Sequence, residues 1–221
     1  MHQCEYCEEL RTPSASRFGQ LYAGVADSRV VVRTPSFVVI PTLGQLFRGS
    51  LLVLPTSHVE TLAALKPEQL GELEDLVDHL RTKLSDFGHP VFFEHGSTQE
   101  AAGSCGIYHA HLHVVPLSRP LLPEDLLPNA KQSSPSLATM LCSLRHSKHY
   151  LLAGDASRSV AAHVTDMPGA PGSQYFRRRL AAQFELQQSW DWRLVAAPEA
   201  DLLSTLEAFG VPVAEPHCAT D

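Results

Sequence analysis

Residues 109–115 read His109-Ala110-His111-Leu112-His113-Val114-Val115, an alternation of imidazole and apolar side chains. On a strand, side chains two apart share a face, so three imidazoles line one surface and Ala110, Leu112 and Val114 the other. The apolar face needs a core to cover it, and the imidazole face needs a chemical reason. Packed or solvent-facing histidines on an amphipathic strand are the bland account. Three aligned imidazoles repel one another when protonated and add little to packing, so a site is the better account. The spacing leaves two chemistries open. The imidazoles hold a metal, or one attacks phosphorus while its neighbours stabilise the developing charge.

The rest of the chain predicts an α+β frame for that strand. Residues 29–33 and 36–40 are β-branched runs bounded by turn formers, and residues 50–54 form a third run, stopped by Pro55. Pro67 suits a first helical position, and Leu70, Leu73, Val77, Leu80 and Leu84 recur at spacings of three and four. This helix ends near Phe87-Gly88, and residues 90–93 and 108–115 are two more strands. Strands, one long helix and strands again predict an antiparallel sheet with one long helix, within residues 1–119.

Pro116, Pro120, Pro123, Pro128 and Pro135 break the pattern, so residues 120–143 are expected to be a Pro/Ser-rich linker or loop. Residues 144–221 are expected to form a small C-terminal α+β extension. It has a hairpin from 150–152 and 160–164, a helix capped by Ser173 that runs through Phe176, Leu180 and Phe184, and a last helix over 199–209. Residues 120–221 either cover the site and select a substrate or take the place of a second subunit.

Composition excludes some functions. The chain has 221 residues, 44% apolar and 19% charged, which is globular rather than disordered. Its net charge of -7 disfavours a protein that coats nucleic acid polymers. No apolar run approaches the ~20 residues of a membrane span. The start, Met1-His2-Gln3-Cys4-Glu5, is polar and acidic rather than a secretory signal. Five cysteines, Cys4, Cys7, Cys105, Cys142 and Cys218, are an odd number. Together these features predict a cytoplasmic protein with metal-binding or free thiols rather than a disulfide framework.

Cys4-Glu5-Tyr6-Cys7 is such a thiol pair, and taken alone it is redox-active, metal-binding or incidental. Two histidines would complete a Cys₂His₂ tetrahedron. His58 follows the strand in Gly49-Ser50-Leu51-Leu52-Val53-Leu54-Pro55-Thr56-Ser57-His58, where it also suits a plain helix start.

In this combination and order, the sequence resembles the histidine triad (HIT) superfamily of nucleotide hydrolases and transferases over residues 1–119. Phe93-Glu94-His95-Gly96 and Cys105 add some similarity to its galactose-1-phosphate uridylyltransferase branch. The resemblance implies that His111 is the nucleophile and forms a nucleotidyl-histidine intermediate at the α-phosphate of a nucleotide substrate. It implies that His113, Gly106, Cys105 and His95 lie at the phosphate or nucleotide. It also implies a structural zinc on Cys4, Cys7, His58 and His109, and it leaves a homodimer open, since simple members pair through their sheets.

There are departures from the family pattern. Ser104-Cys105-Gly106 stands where many members carry Gly-Gln-Ser/Thr, and Thr42 stands where an acidic residue commonly holds the ribose. They motivate a rival, a non-catalytic nucleotide- or protein-binding module that keeps the fold. A third alternative is a metal-dependent hydrolase with all three triad histidines on one metal.

Three further features have a functional and a plain account. Arg177-Arg178-Arg179 either clamps an anion or is a solvated helix face, with at most two of the three able to reach one site. Trp190-Asp191-Trp192-Arg193 either stacks on a base or packs. Arg119 either reaches phosphate or ends a strand in solvent, and His146 and His149 are expected at the surface.

Overall fold

The computed structural model describes residues 4–98, 107–155, 157, 159–164, 172–186 and 190–214. The chain opens with two short helices, α1 (Glu5–Arg11) and α2 (Arg17–Leu21). Strands β1 (Val32–Arg33), β2 (Phe37–Pro41) and β3 (Leu51–Pro55) follow, then the long helix α3 (Pro67–Leu84). Next come β4 (His89–Ser97) and β5 (Leu112–Leu117). The remainder supplies α4 (Pro123–Leu126), β6 (Gln132–Ser134), α5 (Leu137–Ser143), β7 (His149–Gly154), β8 (Val160–Val164), α6 (Tyr175–Gln183) and α7 (Ala200–Ala208).

All the strands join one antiparallel sheet in the order β1-β2-β3-β5-β4-β7-β8-β6. Runs such as Phe37–Pro41 and Leu51–Pro55 are apolar throughout because both faces of the sheet are covered. Phe37, Val39, Leu51 and Val53 face α3 and α5, in a core that includes Leu73, Leu80 and Leu141. Val38, Ile40, Leu52 and Leu54 pack with Tyr6 of α1 on the opposite face. Farther along that face, Val91, Phe93, Leu151 and Ala153 meet Leu126 of α4 and Phe176 and Leu180 of α6.

The expected face of the triad strand is present: Ala110, Leu112 and Val114 are buried in the core beside α3. The strand itself starts later than its alternation predicts. Pairing begins at Leu112, and Ala110 N–H donates instead to Val59 O at 2.7 Å. His109 and His111 therefore sit on the approach to β5, and His113 inside it.

The proline-rich segment differs more. Residues 120–143 hold α4, β6 and α5, because Pro123 occupies a first helical turn and Ser136 caps α5 by accepting from Thr139 N–H. The expected hairpin is β7 with β8, and β7 pairs directly with β4. The helix expected to be capped by Ser173 starts one residue later: Gln174, in the left-handed region, precedes it with no side-chain cap. The last helix matches its expected position, flanked by Glu199 and Phe209.

Tyr150 fastens β7 to β4. Its hydroxyl donates to Glu94 at 2.5 Å and accepts from Ala63 N–H at 3.1 Å, while Glu94 also accepts from Leu62 N–H. Burial pushes the Glu94 carboxyl up to about 7. Gly96 lies opposite Tyr150, and a Cβ there would come within 2.4 Å of the ring. The hydroxyl is anchored, so the ring has little freedom to retreat. Gly96→Ala is expected to destabilise the protein by about 1–3 kcal/mol, read from the urea midpoint. An unchanged midpoint would mean that the β4–β7 seam is not held through this ring.

Candidate active site

Cys4 caps α1, its Sγ accepting from Cys7 N–H, and this turn aims both thiols at one point. His109 meets them there: its Nδ1 lies 3.3 Å from Cys4 Sγ and 3.4 Å from Cys7 Sγ. His58 Nδ1 is 3.5 Å from Cys7 Sγ. All four ligand atoms lie within 4.8 Å of one another. Tetrahedral zinc, with Zn–S near ~2.3 Å and Zn–N near ~2.0 Å, requires ligand separations of about 3.5 Å, so the donor set fits such an ion. The fully buried His109 directs Nε2 at Pro55 O, 3.0 Å away, which fixes the tautomer and leaves the Nδ1 lone pair toward the thiols. Among the described residues the triad histidines do not form a metal cluster of their own; only His109 enters one.

His109 also orients its neighbour. The backbone carbonyl of His109 accepts a hydrogen bond from His111 Nδ1–H at 2.7 Å, which leaves Nε2 of His111 with its lone pair. Burial holds His111 below the usual histidine range, so the ring is neutral at pH 7. His113 is held well below that range by burial, then by His111 and Arg177. Tyr6, from inside the Cys-x-x-Cys turn, sets its ring edge against both His109 and His111. Phe93 stacks on His113 at 4.7 Å and on Phe176 at 4.6 Å.

His111 and His113 open on a cleft of about 620 Å³. Its wall includes His95, Thr42, Arg29 and Tyr6 and, from the C-terminal part, Gln174, Phe176, Arg177 and Trp192. Arg29 is buried in a two-pronged ion pair with Glu9 of α1, at 2.6 and 2.8 Å, and also donates to Pro41 O. Arg119 is exposed, over the Phe184 ring at 4.6 Å, as its plain account expects. Cys105 and Gly106 fall outside the described residues.

Sequence reasoning missed one partner. His149, expected at the surface, is buried at the start of β7, with Nε2 2.7 Å from Nε2 of His95. Register explains it: His149 pairs with Ser97 at the end of β4, which turns its ring onto that of His95. Spacing alone carried no such signal.

No match is found among curated proteins. The HIT domain family model matches residues 23–119. The match is to this segment and covers less than half of the chain. The match begins after α1, so the two cysteines lie outside it. Solved structures resemble part of the chain at low identity. A hypothetical histidine triad nucleotide-binding protein from Sulfolobus tokodaii is 20% identical, covering 51% of this chain and 68% of its own, with a TM-score of 0.36. A HIT family protein from Bacillus anthracis is 22% identical, covering 52% and 73%, TM-score 0.38. A Zn-bound histidine triad family protein from Mycobacterium smegmatis is 20% identical, covering 52% and 74%, TM-score 0.35.

His95 makes the site sensitive to acid. Burial, then His149, His111 and Arg178, pull it down to about 3 from the ordinary 6.5. The unfolded chain therefore binds this proton first. The stability that His95 contributes as a neutral ring is present above about pH 6.5 and drains as pH falls toward 3. Between about pH 6.5 and 5 the loss is roughly 1–2 kcal/mol. Chemical denaturation across that range should show a shallower decline for His95→Asn than for wild type. Parallel declines would remove His95 as the source.

Proposed function

We propose that this protein is a HIT-type nucleotide hydrolase or nucleotidyltransferase acting at the α-phosphate of a dinucleoside polyphosphate, nucleotide sugar or similar nucleotide. The observation that carries this reading is the His111 Nδ1–H bond to the His109 carbonyl. It leaves a neutral Nε2 nucleophile on the wall of a cleft large enough for a nucleotide.

In this reading His111 Nε2 attacks phosphorus, an N–P bond forms, and the leaving group departs with the P–O electron pair. Water or a second phosphate then attacks phosphorus, breaks the N–P bond and returns the electron pair to Nε2. His113 donates to a phosphoryl oxygen as charge accumulates. His95 lies on the same wall; it is assigned to the substrate, and Cys105 and the Gly106 amide to the phosphate, from the family resemblance.

The Cys4, Cys7, His58 and His109 set is assigned to a structural zinc. Burial and the Cys4 thiol push the Cys7 thiol up to about 11, a penalty on the thiolate that a divalent cation would relieve. Bound zinc would fix α1 against the triad approach and, with four protein ligands, keep no open position for substrate. The HIT domain supports a nucleotide partner. Among the described residues no helix is long and apolar enough to cross a membrane. The proposed setting is cytoplasmic. The β7 strand on β4 supports the reading in which residues 120–221 take the place of a second subunit, rather than a homodimer joined at that edge.

Mass spectrometry after incubation with nucleoside polyphosphates and nucleotide sugars should show a nucleotidyl adduct that is lost in His111→Asn. Neither adduct nor turnover across a broad panel would sink the enzyme and leave a binding module. Metal analysis should find about one zinc per chain, lost in Cys7→Ser and kept in His113→Ala. Loss of metal in the His113 variant would point to a metal on the triad instead.

A further inference from the structure

Helical geometry separates the three consecutive arginines of α6. Arg178 is exposed and Arg179 half-buried, whereas Arg177 is 6% exposed and lines the cleft. Its guanidinium is fixed by backbone carbonyls: Nε donates to Trp190 O at 2.7 Å and an Nη to Gly44 O at 2.5 Å. Gly44 makes this approach possible, since it has φ 65° and a Cβ there would lie 3.1 Å from the same Nη. Glu199 holds that loop from the other side, accepting from Gly44 N–H and Gln45 N–H.

Carbonyls orient a guanidinium without cancelling its charge. The nearby Glu199 and Asp191 offset part of the desolvation, yet burial still prevails and pulls Arg177 down to about 10. A fixed guanidinium in a cleft favours an anion. A second observation points the same way. Thr42, two residues before Gly44, is 3% exposed and lines the same cleft, and its hydroxyl has no hydrogen-bond partner. Such a buried hydroxyl costs free energy until a ligand satisfies it. The place is set by the stack His113–Phe93–Phe176, which puts the residue before Arg177 two rings from the triad.

We propose that Arg177 and Thr42 form an anion subsite beside His113 that takes a second phosphoryl group of the substrate, separate from the one attacked. The substrate is then a nucleotide with at least two phosphoryl groups. The second is either the next phosphate of the chain or a phosphate on the ribose. The existence of the subsite stands on its own geometry; its relation to the attacked phosphate rests on the reading of His111 above.

Calorimetric titration of the full chain with inorganic pyrophosphate and orthophosphate tests it. Pyrophosphate should bind more tightly, and Arg177→Gln should weaken pyrophosphate by about tenfold or more. Thr42→Val, which loses no hydrogen bond within the protein, should weaken it about fivefold. Equal pyrophosphate affinity in wild type and Arg177→Gln overturns the subsite, as does no preference for pyrophosphate. Should Arg177→Gln fail to fold, Thr42→Val decides alone, and unchanged affinity there overturns it.

The source of the phosphate follows from comparing a nucleoside diphosphate with a bisphosphate whose phosphates sit on different ribose oxygens. The one more sensitive to Arg177→Gln identifies it. Arg177-dependent pyrophosphate binding without a nucleotidyl adduct would sink the enzyme reading and keep the subsite. An adduct with Arg177-independent binding would do the reverse.

Discussion

One residue, His109, connects the parts of this site. Its ring nitrogens face the two cysteines and the Pro55 carbonyl, and its own carbonyl accepts from His111. A single backbone position thus locks the turn of α1, the end of β3 and the tautomer of the proposed nucleophile. A shift of that backbone would turn His111 as well as loosen the cysteine cluster. The local chain explains why the hinge is so firm. Ala110 donates to Val59 on one side, and β5 begins to pair with β3 and β4 on the other.

β4 carries that rigidity into the C-terminal half. It pairs with β5 on one edge and β7 on the other, so triad strand and extension share one hydrogen-bonded plane. The outer strands, β1 and β6, have only two and three residues, which leaves little edge for another chain to add to. The same continuity brings α6 over Phe93 and makes the C-terminal part a wall of the cleft rather than a separate body.

Much of this was legible in the sequence where a short pattern suffices. The alternation at 109–115 set the apolar face of β5, and the leucine spacing from Leu70 to Leu84 set α3. The pairing of Cys4 and Cys7 with His58 and His109 came from resemblance, and the structure brings their ligand atoms within 4.8 Å of one another. What was illegible depends on register and long-range contact. The prolines of 120–143 suggested a loop, but Pro123 and Pro135 sit in or just before positions where helices start. His149 gave no local sign of its approach to His95, and Glu9 gave none of its bond to Arg29.

Those distant contacts decide what the cleft can recognise. Two buried guanidiniums line it, and they are treated differently. Burial opposes the charge of Arg29, but the two oxygens of Glu9 more than restore it, so this arginine ties α1 to β2 and has little left for a ligand. Arg177 is buried too, but carbonyls from two loops hold it, and the carboxylates nearby do not make up its desolvation. In a chain of net charge -7, the general field repels a polyanion. For the proposed nucleotide, attraction must then be local, from the proposed nucleophile, fixed donors and one desolvated cation. A site built this way should depend on the placement of a few donors much more than on total charge.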